Sequence, residues 1–376
     1  AVAAKLVHPE RMAVAFAGDG CFLMNGQELA TAVRYGLNII IVVINNAIYG
    51  TIRMHQERRF PGREIGTDLA NPDFARYAEA FGAYGEVVTR AEVLRVEDHA
   101  VIARVREKRD GEKGRPSEWR AGEYRISADT IVLCGGSIGS SALLLRSGFG
   151  GRLPALGRGF TCHPALILLG EHDQPITNDV GHPKSYFLDR AAEEGYVLET
   201  CMYFPFVTAK NLTGLGESHA RLMRAFPRLQ MILVLAVDSA SDGNRITVDR
   251  AGRPVVHYKL AHETIRSLVR ATRTSARIFF AAGARRVHAP SARPPLIERD
   301  DASRIDELVT ERRFLPGTIS VSAAHLMGGC AMGRNDRDSV TDSWGRVHGT
   351  PWLRVADSSL FPDALQINPY VTVMAL

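Results

Sequence analysis

The chain has 376 residues, of which 45% are hydrophobic and 23% are charged, and its formal net charge is +5. These values are typical of an ordinary globular protein, and the length predicts two or three domains. The longest apolar run, Ile39 to Ile44, is too short to cross a bilayer, and the first residues show no signal-peptide pattern. Because the basic residues form no stripe interleaved with aromatic residues, the composition argues against nucleic-acid binding. We expect a cytoplasmic protein with no membrane span.

The cysteines indicate neither a disulfide framework nor a zinc site. They are odd in number and scattered, and no two of them form a C-x-x-C pair. We therefore predict buried thiols at Cys21, Cys134, Cys162, Cys201 and Cys330.

The first part of the chain has the pattern of a strand-helix-strand unit. The segment "MAVAFAG" predicts a buried strand, "GQELATAVRYG" a helix that ends at Gly36, and "NIIIVVI" a second buried strand. Polar residues follow each strand, Asp19 after the first and Asn45 and Asn46 after the second. Because ligands bind at the carboxyl ends of parallel strands, these residues predict a binding site.

The chemistry of this predicted site suits a metal ion. A carboxylate beside an amide oxygen fits a hard cation such as Mg²⁺ that carries a diphosphate, although two ordinary strand-end turns would look the same. Gly18-Asp19-Gly20 followed by Asn45-Asn46 resembles the diphosphate-binding motif of thiamine-diphosphate enzymes. The surrounding sequence, including "IGTDLANPDFARYAEAFGAYGE", resembles their acetolactate-synthase-like branch.

Over residues 1–92, this resemblance implies a partial parallel-sheet domain that binds thiamine diphosphate and Mg²⁺. Asp19 and Asn46 would ligate Mg²⁺ through their side chains, and Ile48 through its backbone carbonyl. The residues expected to bind thiamine diphosphate are Gly18, Asp19, Gly20, Asn45 and Asn46. The family's pyrimidine-binding domain, which activates the thiamine ring, has no counterpart in this sequence. We therefore expect a site that binds the diphosphate of the cofactor but does not activate its ring.

The sequence pattern changes at about Glu92. Short alternating apolar segments follow, separated by "DGEKG" and "AGE", and these predict hairpins. Next, "TIVLCGGSIGSSALLLRSGFG" predicts a buried strand, a glycine-serine turn and a helix. This segment does not match G-x-G-x-x-G, so a nicotinamide site is poorly supported. It resembles the second signature of glucose-methanol-choline (GMC) oxidoreductases, which are FAD-dependent, and implies that Gly136 and Ser137 bind FAD. His163, in "LGRGFTCHP", is predicted to be structural.

Three pieces near the end of the chain occur in a fixed order. They are His325 with its glycine-rich turn, Asp357 in "RVADSSLFP", and Asn368 in "NPYVTVMAL". A lone histidine before a glycine turn usually has a structural role, but the three pieces together resemble the C-terminal signature of GMC oxidoreductases. The sequence of these pieces most resembles members of that family that oxidise fatty alcohols and sterols.

The residue types in this signature fit alcohol oxidation. A neutral histidine can take the hydroxyl proton near pH 7, which makes His325 the predicted base, and the amide of Asn368 can hold the substrate oxygen. Pro369 would begin a terminal helix whose positive end, with Asn368, faces the flavin. The resemblance further implies that Asp357 and Ser358 present backbone amides to FAD.

The predicted fold class is α/β, with the partial thiamine-diphosphate domain followed by an α+β GMC-type FAD and substrate domain. The strand "LQMILVLAV", a hairpin and a helix ending at Gly283 fit the substrate-domain sheet and its covering helix. The predicted domains are residues 1–92 (thiamine-diphosphate fragment), 93–165 (partial FAD-binding region), 166–300 (substrate-binding domain) and 301–376 (C-terminal catalytic segment).

The sequence therefore predicts a chimeric chain whose leading function is FAD-dependent oxidation of a lipophilic, fatty or sterol-like alcohol, a small-molecule substrate. One alternative is thiamine-diphosphate-dependent lyase or ligase chemistry on 2-oxo acids. Another is an inactive recombined fragment, because no G-x-G-x-x-G motif for the ADP half of FAD precedes the hairpins and each cofactor site is incomplete. A partner chain that supplies the missing cofactor-binding domains would reconcile these possibilities.

Overall fold

A computed structural model gives the fold of this chain. It describes residues 2–11, 13–44, 66, 68–85, 90–110, 119–176, 186–201, 205, 208–209, 214, 216–291, 296–315, 317–369 and 372–373. The chain divides into two compact units, Ala1–Ala91 with Val105–Gly122, and Glu92–Arg104 with Glu123–Leu376. In the described parts of the chain, none of the helices is long and apolar enough to cross a bilayer.

The first unit contains the predicted strand-helix-strand arrangement. Strands β1 (Ala13–Gly18) and β2 (Ile39–Ile44) are parallel, with Gly18 beside Ile44 at their carboxyl ends. The connection consists of α2 (Asp19–Asn25), a 3-10 turn (Gly26–Glu28) and α3 (Leu29–Arg34). The other helices described in this unit are α1 (Val2–Val7) and α4 (Phe74–Ala80).

Aromatic packing holds α2 against α4. The ring of Phe22 is buried and meets the rings of Phe74 and Tyr77 edge-on, at centroid distances of 5.5 Å and 5.9 Å. Asp73 caps α4, because its carboxylate accepts hydrogen bonds from the backbone amides of Ala75 and Arg76. This cap fixes the position of the segment just before α4, which contains Asn71.

The second unit contains most of the remaining elements. Its strands include parts of β3 (Ala91–Glu97), β4 (Ala100–Val105) and β5 (Gly122–Ser127), which pair in that order. The other strands are β6 (Ile131–Leu133), β7 (Thr161–Cys162), β8 (Ala165–Glu171), β9 (Phe187–Arg190), β10 (Tyr196–Thr200), β11 (Leu229–Ala236), β12 (Arg245–Val248), β13 (Pro254–His257), β14 (Arg286–His288), β15 (Ile297–Glu298), β16 (Leu326–Met327), β17 (Arg346–Val347) and β18 (Thr350–Val355). The helices are α5 (Gly136–Arg146), α6 (Ala191–Glu194), α7 (Glu217–Arg224), α8 (His262–Ala281) and α9 (Ile305–Leu308). Further 3-10 turns are Phe149–Gly151, Phe226–Arg228, Arg299–Arg304, Glu311–Phe314 and Ser358–Leu360.

The largest sheet has the strand order β15-β14-β8-β11-β10-β9, and all its pairs are antiparallel. Successive residues of a strand point to opposite faces, so the apolar strands β8 and β11 bury both faces. Helix α8 covers one face with Leu268 and Phe279, and Leu222 of α7 packs on the other. Helix α8 ends just before Gly283, whose φ of +92° is the conformation that glycine adopts readily.

A second core forms around a parallel strand pair. Strand β18 pairs with β6 from Leu353↔Ile131 to Val355↔Leu133, so their carboxyl ends meet. Helix α5 begins directly after β6 and buries Leu143 and Leu144 in this core. The pair joins two segments that are more than two hundred residues apart, and it places the start of α5 beside residues 356–360.

A buried carboxylate links two strands of the large sheet. Glu171 of β8 is 4% exposed, and its carboxylate accepts hydrogen bonds from Arg285 and from Nε2 of the buried His288, the latter at 2.8 Å. Burial raises the pKa of Glu171, but the hydrogen bonds and charges of His288 and Arg285 outweigh it and hold this pKa at about 2, below the ordinary 4.5.

This cluster predicts acid-sensitive stability. Because the pKa of Glu171 is lower in the folded state, its contribution to the free energy of unfolding is complete above about pH 4.5 and is lost as the pH falls toward about 2. We expect Glu171→Gln to lower the free energy of unfolding by about 2 kcal/mol at pH 7 and to flatten its dependence on pH in that window. Urea unfolding at a series of pH values measures both effects.

The matched control is Glu123→Gln. Glu123 forms an exposed ion pair with Arg104 at 2.6 Å, so its removal should cost less than about 1 kcal/mol. Equal losses in the two variants, or an unchanged pH dependence in Glu171→Gln, would contradict the assignment.

Candidate active site

A short strand pair brings two histidines together. Strands β7 and β16 are antiparallel, with Leu326 beside Cys162 and Met327 beside Thr161. His163 follows β7 and His325 precedes β16, so the next step of the same register places the two histidines opposite each other. Their Nδ1 atoms are 3.0 Å apart, and the two rings are nearly perpendicular, at 89°.

His163 is the more deeply placed ring of this pair. It is 2% exposed, and its Nε2 lies 2.6 Å from the backbone carbonyl oxygen of Leu365. Burial lowers the pKa of His163, and the Leu365 carbonyl and the charges of Asp238 and Glu199 offset only part of that effect. The imidazole is therefore neutral near pH 7, as befits a buried histidine with a hydrogen bond at each nitrogen.

Asn368 contacts a buried carboxylate. Its Nδ2 donates to Oε1 of Glu199 at 2.8 Å, and Glu199 lies on β10 with 8% of its surface exposed. Leu365, three residues before Asn368, contacts His163, and the charge of Glu199 also acts on His163. His325 and Asn368 thus belong to one cluster, which is connected through His163, Leu365 and Glu199.

The start of the predicted terminal helix is visible in part. The amide of Val373 donates to the carbonyl of the buried Pro369 at 2.8 Å, and this four-residue separation is that of an α-helical hydrogen bond. Residues 370–371 and 374–376 lie outside the described part of the chain.

The glycine turn after His325 packs against the start of α5. The hydroxyl of Ser137 donates to the carbonyl oxygens of Met327, at 3.2 Å, and Gly328, at 2.7 Å. Gly328 has a φ of +77°, and a Cβ atom there would lie 2.1 Å from the carbonyl oxygen of Gly159. The turn therefore requires glycine for both its conformation and its close packing.

Asp357 closes the carboxyl end of the parallel strand pair. Its Oδ2 accepts hydrogen bonds from the amide of Gly136, at 3.0 Å, and the hydroxyl of Ser140, at 2.5 Å, while Oδ1 accepts from the amide of Ser359, at 2.8 Å. The carbonyl of Ser358 accepts from the amide of Gly328. The four residues predicted to bind FAD around this turn, namely Gly136, Ser137, Asp357 and Ser358, therefore lie in one place.

This arrangement fits part of a flavin cofactor. The carboxyl ends of two parallel strands meet at a helix N-terminus, the usual position of a nucleotide site in such sheets. Gly136 has a φ of +72°, and apart from its chain neighbours and the backbone of its own helix, no protein atom lies within 4 Å of the place where its Cβ would be. Because the Asp357 carboxylate already occupies this helix N-terminus, the position suits hydroxyl groups that donate to a carboxylate better than it suits a phosphate.

The predicted metal site of the first unit is described in part. Gly18 ends β1, and Asp19 and Gly20 begin α2. Asp19 is 2% exposed, and its Oδ2 accepts a hydrogen bond from Nδ2 of Asn71 at 2.6 Å. Asn45, Asn46 and Ile48 lie outside the described residues. A buried carboxylate oxygen held by an amide fits a Mg²⁺ ligand, although the described residues contain no group of three His, Cys, Asp or Glu side chains able to hold a metal.

Asn71 and Glu199 were not identified by the sequence prediction, and His163 was predicted only to be structural. Asn71 contacts Asp19 across 52 positions, and nothing in its local pattern distinguishes it from an ordinary turn residue before the Asp73 cap. Glu199 had a usable signal, because it is a carboxylate in the otherwise apolar strand "YVLET". A charged residue at a buried strand position needs a partner, and here that partner is Asn368.

Comparison with known proteins separates the chain into two segments. Residues 1–110 match the family model described as "Thiamine pyrophosphate enzyme, C-terminal TPP binding domain", and residues 240–376 match that of "GMC oxidoreductase". One segment of the chain is thus similar to each of two enzyme families. The predicted recognition of both families, and the mixed α/β class, are therefore confirmed.

Individual relatives show the same division. The chain is 30% identical over 254 residues to an uncharacterized GMC-type oxidoreductase of Mycobacterium tuberculosis, covering 67% of this chain and 39% of that protein. It is 41% identical over 86 residues to the acetolactate synthase large subunit of Haemophilus influenzae, covering 23% of this chain and 15% of that protein. The chain thus spans less than half the length of either relative.

A solved structure resembles the fold. Pyridoxine 4-oxidase from Mesorbium loti superposes with a TM-score of 0.50 at 18% sequence identity. The match covers 76% of this chain and 55% of that protein. At this identity the similarity shows the fold alone.

Proposed function

We propose that the second unit is the substrate-binding and catalytic part of an FAD-dependent oxidoreductase that acts on the CH–OH group of a lipophilic alcohol. The observation that carries this proposal is the contact of the buried His163 with His325, in one cluster with Asn368 and Glu199. A base and an amide in one cluster are what the removal of a hydroxyl proton requires.

His325 is the proposed base. It takes the proton of the substrate hydroxyl while a carbon–hydrogen bond breaks at the carbon that carries this hydroxyl. One proton and one hydride thus leave the alcohol, and a carbonyl forms. Asn368 holds the substrate oxygen. Its amide is fixed by the hydrogen bond to Glu199, and the second N–H of Nδ2 remains to donate to that oxygen.

Asp357 and the Gly136 turn are the proposed flavin contacts. The Asp357 carboxylate can accept a hydrogen bond from a hydroxyl group of the cofactor, and Gly136 leaves space for it. Bound FAD would accept the hydride from the alcohol. The glycine turn after His325 connects these contacts to the proposed base, since Ser137 donates to the backbone carbonyls of Met327 and Gly328 in that turn.

Exposed apolar side chains near Asn368 support a lipophilic substrate. Phe187 is 70% exposed and pairs in register with Glu199, and Ile367, which immediately precedes Asn368, is 63% exposed. Large apolar side chains exposed beside a polar catalytic cluster are typical of a binding surface for an apolar chain.

We expect the flavin-containing protein to prefer longer primary alcohols. Each CH₂ group that becomes buried contributes about 0.8 kcal/mol, so kcat/KM should rise by about three- to fourfold per added methylene until the binding surface is filled. Flavin reduction by a homologous series of alkanols measures this dependence, with α,ω-diols of equal length as the polar control. Equal kcat/KM values along the series would remove the lipophilic substrate class.

A further inference from the structure

We infer that His163 is a positioning residue that holds the proton of His325 on Nδ1 and thereby makes Nε2 of His325 the basic nitrogen. The inference deepens the proposed function and rests on it for the identity of the base. The protonation pattern itself follows from two contacts of His163, one with Leu365 and one with His325.

The first contact fixes the proton of His163. A backbone carbonyl oxygen can only accept a hydrogen bond, so the ring nitrogen of His163 that lies 2.6 Å from Leu365 must carry a proton. This conclusion holds for either assignment of the ring atoms, because it depends only on which nitrogen faces the carbonyl. In the neutral imidazole, the other nitrogen then has no proton.

Burial keeps His163 in that neutral form. The ring is 2% exposed, and the loss of solvation is the largest influence on its pKa, which it lowers. The charged groups that oppose this effect are Asp238 and Glu199, together with the Leu365 carbonyl, and their combined influence is smaller. The His163 nitrogen facing His325 is therefore an acceptor near neutral pH.

The second contact transfers this constraint to His325. Since the facing nitrogen of His163 accepts, Nδ1 of His325 must donate across the 3.0 Å contact, and Nε2 of His325 then carries no proton. The hydrogen-bond partner of one imidazole nitrogen in general decides the role of the other. When Nε2 takes a proton from the substrate, the resulting imidazolium keeps its Nδ1–H bond to His163.

The strand pairing explains why this geometry is reproducible. Cys162 and Leu326 are paired residues of β7 and β16, so the backbone next to each histidine is fixed by the ladder. The glycine turn after Met327 is in turn held by Ser137. The ring of His325 is thus oriented from its backbone as well as from His163.

The test is the tautomeric state of both rings, measured by long-range ¹H–¹⁵N NMR on protein labelled at histidine, with resonances assigned from single variants. Near neutral pH we expect His325 to be protonated at Nδ1 and His163 at Nε2. This readout needs no bound cofactor and no activity. A His325 ring protonated at Nε2 in the wild-type protein would overturn the inference.

Two variants separate positioning from folding. In His163→Ala, the ratio of Nδ1–H to Nε2–H tautomers of His325 should fall by about tenfold, the equivalent of one hydrogen bond. His163→Gln should largely restore the ratio, because its amide can accept from His325 and donate to Leu365. The control is His172→Gln, since His172 contacts Gln230 and has no contact with His325 among the described interactions.

The outcomes distinguish this inference from the proposed function. A ratio that is unchanged in both His163 variants means that the backbone alone orients His325, and the inference fails. If the ratio changes as expected while His325→Ala reduces flavin at the normal rate, the positioning of the ring stands and the proposed catalytic role of His325 fails.

Discussion

In the flavin-containing protein, His325→Ala should slow reduction of the flavin by an alcohol by roughly 10²–10⁴-fold, the usual contribution of a positioned general base. The physical reason is that the hydroxyl proton must leave as hydride transfer proceeds, and alanine offers no acceptor. The loss should appear in the rate of reduction at saturating alcohol, because a general base acts on the reacting atoms. Stopped-flow absorbance of the flavin measures this rate directly.

Two comparison variants make the result specific. Asn368→Ala should cost about 1.5–3 kcal/mol of transition-state stabilisation, which corresponds to one hydrogen bond to a developing charge. His348→Ala is the matched histidine control, because His348 bonds to Ser339 and its substitution should leave the rate within about twofold.

The competing interpretation is that His325 only supports the glycine turn. In that case His325→Ala would lower thermal stability, while the protein that remains folded would reduce its flavin at a near-normal rate. Thermal unfolding of all three variants, measured beside the kinetics, separates the two interpretations.

The sequence predicted the local elements well because their signals are local. The strand around Ala15, the helix ending near Gly36 and the strand from Ile39 appear where they were predicted, because short apolar runs bounded by glycine and polar residues mark strands. The predicted burial of the second strand is wrong at Ile40, which is 45% exposed. The long helix α8 was equally clear, because its apolar residues recur at helical spacing and Gly283 follows its end.

The site was less accessible to prediction because its contacts are long-range. His163 and His325 are 162 positions apart, and Glu199 and Asn368 are 169 positions apart. Motif resemblance located His325 and Asn368 but could not show their partners, since strand pairing between β7 and β16 extends over only two residues on each side. A two-residue strand is too short to show a periodic pattern, so it cannot be predicted from the sequence.

The structure gives Gly136 and Asp357 a contact that the GMC-like motifs did not predict. Gly136 was expected to bind FAD and Asp357 to present its backbone amide to FAD, and the described contacts show the Gly136 amide donating to the Asp357 carboxylate. The carboxylate at a helix N-terminus stabilises that helix and holds the two strand ends together. The motif therefore did not predict that the side chain of Asp357 holds the Gly136 turn.

The second large effect is expected for the glycine turn. Gly328→Ala should lower the free energy of unfolding by about 3–5 kcal/mol, combining the cost of a left-handed conformation for alanine with that of overpacking. The φ of Gly328 is +77°, and the new Cβ would lie 2.1 Å from the carbonyl oxygen of Gly159. Because that atom belongs to the backbone, no rotation of a side chain can relieve the contact, and the turn itself must move.

Gly283→Ala is the control, because it imposes the cost of the left-handed conformation without that of close packing. Gly283 also has a positive φ, +92°, but apart from its chain neighbours no protein atom lies within 4 Å of its Cβ position, so we expect a loss of only about 1–2 kcal/mol. Urea unfolding followed by tryptophan fluorescence measures both variants. Since the turn connects His325 to Ser137, any Gly328→Ala protein that still folds should also show an altered tautomer ratio for His325, whereas Gly283→Ala should not. Equal losses of stability in the two variants would mean that the turn can shift away from Gly159 at little cost, and the close approach would then play no part in holding the proposed base in place.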